Sequence, residues 1–489
     1  MLRRRSFISR SFQFPKRLAW CAAALLIASP SSAQYENDIG RWVEQDQIAA
    51  PEDGSILFVG SSSIRRWERL THDFADYRVT QRGFGGAHFD DVNRFADQIV
   101  LPYNPSAIVV WAGTNDIGSG GQGQEVFEDY QEFIAQVHAA QPGVDIFYLG
   151  IMPTPGRFAN GPEETVANSS IAALASGNPK LHYVDLPAAF NALNPPSDQG
   201  FLDKFVDSIH LNRAGYDLWT SIIRPQLEAV VAPNKTFVAN PNTLKSGERL
   251  LFDFGPSNTE DGDPTASPDA NGNHWNNWRP AEGGVAVNAG ERVVDLVNTS
   301  GDATGINLTI TGGFQTNGKQ NGGLFSPDEA LLGDLAVESA TQDYFFTTAN
   351  NLNDNTSDDQ PGGFMLDGLN PAQVYDLKFF GSRQTTALRE TEYLAIGANT
   401  RVATLQTSGF RLGENIPYDG NNSSTVVLEG VRPDAFGQVF IDVTLSRGAF
   451  AYLNAMEVSV AVPEPTSGSV AACATGLCAL SASRAARSR

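Results

Sequence analysis

The chain has 489 residues, 41% hydrophobic and 18% charged, a balance that excludes global disorder and a length that exceeds what one hydrophobic core usually organises. The formal charge is −21, and it falls to −30 when the six basic residues before Ala33 and the three after Ala482 are set aside. A body this acidic repels nucleic acid and anionic lipid, which leaves neutral, acylated molecules as the natural partners.

Residues 1–33 read as a secretory signal peptide. Arg3, Arg4, Arg5, Arg10, Lys16 and Arg17 precede an apolar stretch over 18–28, and Ser31-Ser32-Ala33 is a small-residue cleavage pattern. From 47 to 231, short apolar runs at 56–59, 77–80, 107–111, 145–151 and 181–184 alternate with amphipathic stretches such as 89–100 and 126–140. That alternation predicts an α/β domain, a parallel five-stranded sheet with helices on both faces. A helix over 214–231 closes it, with Asn212 as N-cap and Pro233 at the exit.

Residues 232–246 hold Pro233, Asn234 and the turn Asn240-Pro241-Asn242, and read as a linker. Helical periodicity then nearly vanishes. Over 247–461, turns rich in Gly, Asn, Asp and Thr separate short runs at 250–254, 285–287, 293–297, 306–310, 375–380, 393–396, 425–428, 439–445 and 452–460. This pattern predicts an all-β, jelly-roll-like sandwich. Its Trp275 and Trp278 suit sugar stacking, but buried rings are ordinary sandwich core and that reading stands first. The turn Glu260-Asp261-Gly262-Asp263 lacks the spacing of a calcium loop and reads as solvated.

Val462-Pro463-Glu464-Pro465, a small-residue apolar run over 470–482 and then Arg484, Arg487 and Arg489 resemble a PEP-CTERM sorting signal over 462–489. The resemblance implies processing by an exosortase. The run is shorter than a spanning helix, so membrane contact is expected only through the terminal signals, and the body is expected outside the cytoplasm, secreted or held at the cell surface. Cys21, Cys473 and Cys478 all lie in the two end segments. The trimmed chain therefore has neither a disulfide framework nor a thiolate metal site.

Four stretches carry chemistry. Gly60-Ser61-Ser62-Ser63 follows a buried run and supplies a serine where open α/β folds gather ligands; Ser62 is the expected nucleophile, with Ser61 and Ser63 as rivals. Asp207-Ser208-Ile209-His210 supplies a base and, three residues before it, a carboxylate to orient the ring. Gly85-Gly86 and Gly113-Thr114-Asn115-Asp116 supply a backbone N–H at Gly86 and a side-chain amide at Asn115, which with the N–H of Ser62 are donors for an oxyanion. His72, His138, His182 and His274 read as structural, and His88 as a residue near the pocket. The segment Pro153-Thr154-Pro155-Gly156-Arg157-Phe158 follows a strand and borders the expected pocket.

Over about residues 50–231 these blocks, in order, resemble the SGNH hydrolases of the GDSL-type esterase superfamily: Phe58-Val59-Gly60-Ser61-Ser62, Arg82-Gly83-Phe84-Gly85-Gly86, Gly113-Thr114-Asn115-Asp116 and Asp207-x-x-His210. The resemblance implies a flavodoxin-like sheet, a catalytic triad of Ser62, His210 and Asp207, an oxyanion hole of Ser62, Gly86 and Asn115, and no metal or organic cofactor. Where the family usually has Asp before the nucleophile, this chain has Ser61. The expected activity is hydrolysis of acyl esters, acetyl above all, on a carbohydrate or small ester. The alternatives are an inactive, surface-displayed glycan-binding protein and a lipid or thioester acylhydrolase using the same site.

Overall fold

The computed structural model describes residues 30–255, 262–278, 286–319, 322–348, 362–414 and 417–461. The readings placed on residues 1–29 and 462–489 lie outside the described residues. Among the described residues, no helix is long and apolar enough to cross a membrane.

The first domain is built on five parallel strands, β1 (Ile56–Gly60), β2 (Val79–Gly83), β3 (Ala107–Trp111), β4 (Asp145–Leu149) and β5 (Leu181–Val184), in the order β2-β1-β3-β4-β5. Strands of this kind read as continuous apolar runs because both faces are covered. Their side chains alternate between two cores. Leu57, Val59, Ile108, Val110, Ile146 and Tyr148 face one layer, and Ile56, Phe58, Val109, Trp111, Phe147 and Leu149 face the other. Three long helices, α1 (Pro30–Ile48), α2 (Gly123–Ala140) and α3 (Gly161–Ser176), cover the first face, and α4 (Arg213–Glu228) covers the second with Tyr216, Trp219, Ile223 and Leu227. Asn212 caps α4 as its sequence position predicts, its side chain accepting from Gly215 N at 3.1 Å.

Two features depart from the sequence reading. Helix α1 begins ahead of residue 47 and belongs to this domain. It buries Tyr35, Ile39 and Trp42 in the first core, and its Asp46 takes the Arg82 guanidinium at 2.8 Å. The stretch 89–100 forms two short helices, Phe89–Arg94 and Ala96–Ile99, instead of one.

The second domain is a sandwich. A six-stranded sheet packs against a five-stranded one through Phe252, Phe254, Phe364, Leu366, Tyr393, Ile441 and Val443, and a four-stranded sheet adjoins them. Pairing is antiparallel throughout except between Arg249–Asp253 and Asn276–Asn277. Trp275 and Trp278 are both buried, the first donating to Asp269 at 2.8 Å.

The sandwich covers the exposed edge of the first sheet, the strand β2. Gln45 donates to Arg292 O at 3.1 Å, Arg69 pairs with Asp442, and the His72 ring meets Phe440 edge-on at 4.9 Å. A polar cavity of ≈ 100 Å³ between the domains is lined by Asp46, Arg78, Arg82, Lys235 and Asp367. Covering an edge strand removes a template for aggregation. The connection after α4 is fastened at both ends: Asn234 accepts from Arg78 N at 3.0 Å, and Leu244 lies in the sandwich core.

Candidate active site

Parallel strands that end side by side deliver their following loops to one place. Here Phe84 N donates to Gly60 O at 3.0 Å and Ser61 N to Trp111 O at 3.0 Å, which ties the loops after β1, β2 and β3 together. Asn115 Nδ2 donates to Ala87 O at 2.9 Å and links the loop after β3 to that after β2. The fourth stretch is a tight loop held by the isolated bridge between Phe205 and Leu211 and by Val206 N to His210 O at 3.0 Å.

Ser62 opens a short helix, Ser62–Arg65, directly after β1, and its Oγ lies 3.0 Å from His210 Nε2. The opposite ring nitrogen, Nδ1, is 2.7 Å from Asp207 Oδ2. Asp207 also accepts from Ile209 N and His210 N, each at 2.7 Å, and Arg66 stands 3.5 Å from its Oδ2. Burial alone would raise this carboxyl, but the His210 ring and the two backbone N–H groups outweigh it and hold it at about 2. An ionised Asp207 only accepts, so His210 Nδ1 carries the proton. Nε2 of the neutral ring then accepts from the Ser62 hydroxyl.

The three consecutive serines are not equivalent. Ser61 is buried and its hydroxyl has no partner, while the carbonyl of Ser63, also buried, accepts from Tyr216 OH at 2.9 Å. The structure brings Ser62 to the imidazole.

Gly86 has φ +79°, a conformation that glycine adopts without penalty, and a Cβ built there would sit 3.3 Å from Tyr35 OH. Tyr35 therefore reaches the site from α1. Burial, with Asp91 and Asp90 nearby, raises its phenol. Asn115 is buried, and its Oδ1 accepts from Arg157 Nη1 at 2.9 Å. The same guanidinium nitrogen reaches Thr114 O at 3.1 Å. With Oδ1 held by Arg157, the amide nitrogen of Asn115 faces Ala87 O.

Arg157 lies in the segment that the sequence placed beside the pocket, and Gly156 N fastens that segment to the fourth stretch through Ser208 O at 2.7 Å. Behind it sits Glu164 on α3, which is 4% exposed with one carboxylate oxygen unpartnered. Burial pushes its carboxyl up to about 7, although the Arg157 charge opposes the shift. The Arg157–Asn115 bond has no sequence signal, because it spans 42 residues without a fixed motif spacing.

The remaining histidines have other partners. His182 pairs with Asp145 at 2.8 Å, His138 Nε2 lies 3.1 Å from Val144 O, and His88 Nε2 lies 3.2 Å from Ser119 Oγ. His88, Asp90 and Asp116 bring ligand atoms within 4.8 Å of one another, but the group is partly exposed and Phe89 N occupies one oxygen of Asp116 at 2.9 Å.

Residues 48–218 match the GDSL-like Lipase/Acylhydrolase family. Platelet-activating factor acetylhydrolase IB subunit alpha2 of Gallus gallus is 24% identical over 217 residues, 42% of this chain and 90% of that protein. A candidate platelet activating factor from Streptococcus pneumonia is 21% identical, with a TM-score of 0.36 over 40% of this chain and 94% of its own. A GDSL-like lipase from Bacteroides thetaiotaomicron is 16% identical, with a TM-score of 0.34 over 40% of this chain and all of its own.

Proposed function

We propose that the chain, whose residues 48–218 match the GDSL-like Lipase/Acylhydrolase family, is a serine esterase that cleaves acyl, chiefly acetyl, esters on carbohydrate outside the cytoplasm. The observation that carries the chemistry is the continuous relay from Ser62 Oγ to His210 Nε2 at 3.0 Å and from His210 Nδ1 to Asp207 at 2.7 Å. In this reading His210 takes the Ser62 proton as the oxygen attacks the ester carbonyl, and Asp207 stabilises the resulting imidazolium. The oxyanion is received by the N–H groups of Ser62 and Gly86 and by the Asn115 amide, whose orientation Arg157 fixes. His210 returns the proton to the departing alcohol, and a water activated by the same base releases the acyl group.

The acetyl preference is supported by the name of the chicken relative, an acetylhydrolase. The carbohydrate preference rests on the appended sandwich and on the export signal read in the sequence. A lipid or thioester substrate on the same site is the second reading, and the motifs carry no long apolar stretch suited to a lipid lid. Turnover of a short-chain p-nitrophenyl ester by the intact protein, and its loss in Ser62→Ala, tests the enzyme reading; equal release by the two proteins would overturn the catalytic assignment, and no turnover by the intact protein would leave a binding protein. Acetate release from acetylated xylan, measured against turnover of a long-chain ester, separates the carbohydrate from the lipid reading.

A further inference from the structure

Two carboxylates lie deep in the sandwich, remote in sequence from the esterase site. Asp253 ends the strand Arg249–Asp253 and is 4% exposed; Asp343 stands just before the strand Tyr344–Thr348 and is fully buried. Asn454 joins the two segments, its Nδ2 donating to Asp343 O at 2.7 Å and its carbonyl accepting from Phe254 N at 2.9 Å. Gly255 completes the arrangement. A Cβ at that position would fall 2.1 Å from Asp343 Oδ1, so only glycine lets the backbone pass this close to the carboxylate.

The hydrogen bonding around the pair is incomplete. Asp253 Oδ2 accepts from Thr265 N at 3.0 Å, but Asp253 Oδ1 and both oxygens of Asp343 are buried without a partner. An ionised carboxylate left this way costs several kcal/mol, and two adjacent ones cost more. Lys319 Nζ bonds Asp263 at 3.3 Å. Among the described residues, no group donates to these three oxygens.

We propose that Asp253 and Asp343 are ligands of a structural calcium ion that pins the strand ending at Asp253 to the segment entering Tyr344. The available donors are all oxygens, which selects a hard cation over zinc or copper. They come from two chain segments with irregular geometry, which suits the six to eight flexible oxygen contacts of calcium better than the strict octahedron of magnesium. The site is independent of the esterase reading.

The test uses the intact protein after exhaustive chelation. Terbium, excited through nearby aromatic rings including Tyr344, should give sensitised emission that saturates at one equivalent and is displaced by calcium. Calcium at roughly 1 mM should raise the unfolding temperature of the same sample. In Asp343→Asn, which keeps the side-chain shape, terbium affinity should fall at least about 100-fold and the thermal shift should vanish, with the circular dichroism spectrum and ester turnover unchanged. If that variant does not fold, Asp253→Asn and the terbium stoichiometry of the unaltered protein decide. Absence of saturable emission and an unfolding temperature indifferent to calcium would overturn the proposal and mean that the pair is held by protons. Undiminished terbium binding in both variants would overturn it too, by placing the ion elsewhere.

Discussion

Replacing Arg157 with alanine tests how the proposed oxyanion hole is held. The guanidinium donates to Asn115 Oδ1 at 2.9 Å, and the only other bond fixing that carboxamide among the described residues is Nδ2 to Ala87 O at 2.9 Å. A hydrogen bond from a charged donor contributes about 1.5–3 kcal/mol and a neutral one about 1 kcal/mol, so the larger part of the restraint is lost. Complete loss of one oxyanion donor costs about 3–4 kcal/mol of barrier, which sets the ceiling. The expected result with a short-chain p-nitrophenyl ester is a fall in kcat of about 10- to 100-fold, with KM changed by less than about threefold, because the donor acts on charge that develops after binding. Arg157→Lys should recover part of the loss. On an Asn115→Ala background, Arg157→Ala should cost nothing further, since the group it positions is gone. A kcat within about twofold of the unaltered protein, or a full additional loss on the Asn115→Ala background, would refute the positioning role.

Glu164→Gln should flatten the pH dependence of stability. The carboxyl is pushed up to about 7 in the folded chain, so the folded state holds a proton that the unfolded state releases near its ordinary value. That contribution is complete below about 4.5 and is lost as pH rises through about 7, a difference of about 3 kcal/mol. Urea denaturation across this window should show the unaltered protein losing stability relative to the variant; parallel curves would mean that burial does not govern this group. Gly60→Ala should destabilise by about 3 kcal/mol or more, because φ is +142° and the new Cβ would lie 2.0 Å from Trp111 O. A urea midpoint corresponding to less than about 1 kcal/mol of loss would show that the strand end relaxes freely.

Four strands of the first domain were legible because each falls largely within an apolar run between turn signals, and β3 and β5 fall at the residues predicted; β2, Val79-Thr80-Gln81-Arg82-Gly83, is mostly polar, and only its first two residues lie in the run read at 77–80. The site blocks were legible because each is short and local: Asp207 and His210 are three residues apart, and Ser62 directly follows a buried strand. What sequence did not reveal is what other elements bring to those blocks. Tyr35 arrives from a helix whose first turn overlaps the small residues read as a cleavage pattern. The segment holding Arg157 was recognised as a border, but the bond from Arg157 to Asn115 exists only because α3 and its preceding loop fold over the strand ends. In the sandwich, strands such as Tyr344–Thr348 and Gly362–Asp367 were passed over, since neither shows the alternation of a half-exposed strand: the first is buried throughout and the second nearly so. Asp253 and Asp343 are 90 positions apart, and no motif spacing joins them.

Treatment with a fluorophosphonate, which phosphonylates activated serines with loss of fluoride, followed by peptide mapping, tests the central claim most directly. The account predicts one adduct per chain, on Ser62, formed at a rate that collapses in His210→Ala while the hydroxyls of Ser61 and Ser63 stay unmodified. An adduct on either neighbouring serine, or labelling of Ser62 that is indifferent to the loss of His210, would contradict it.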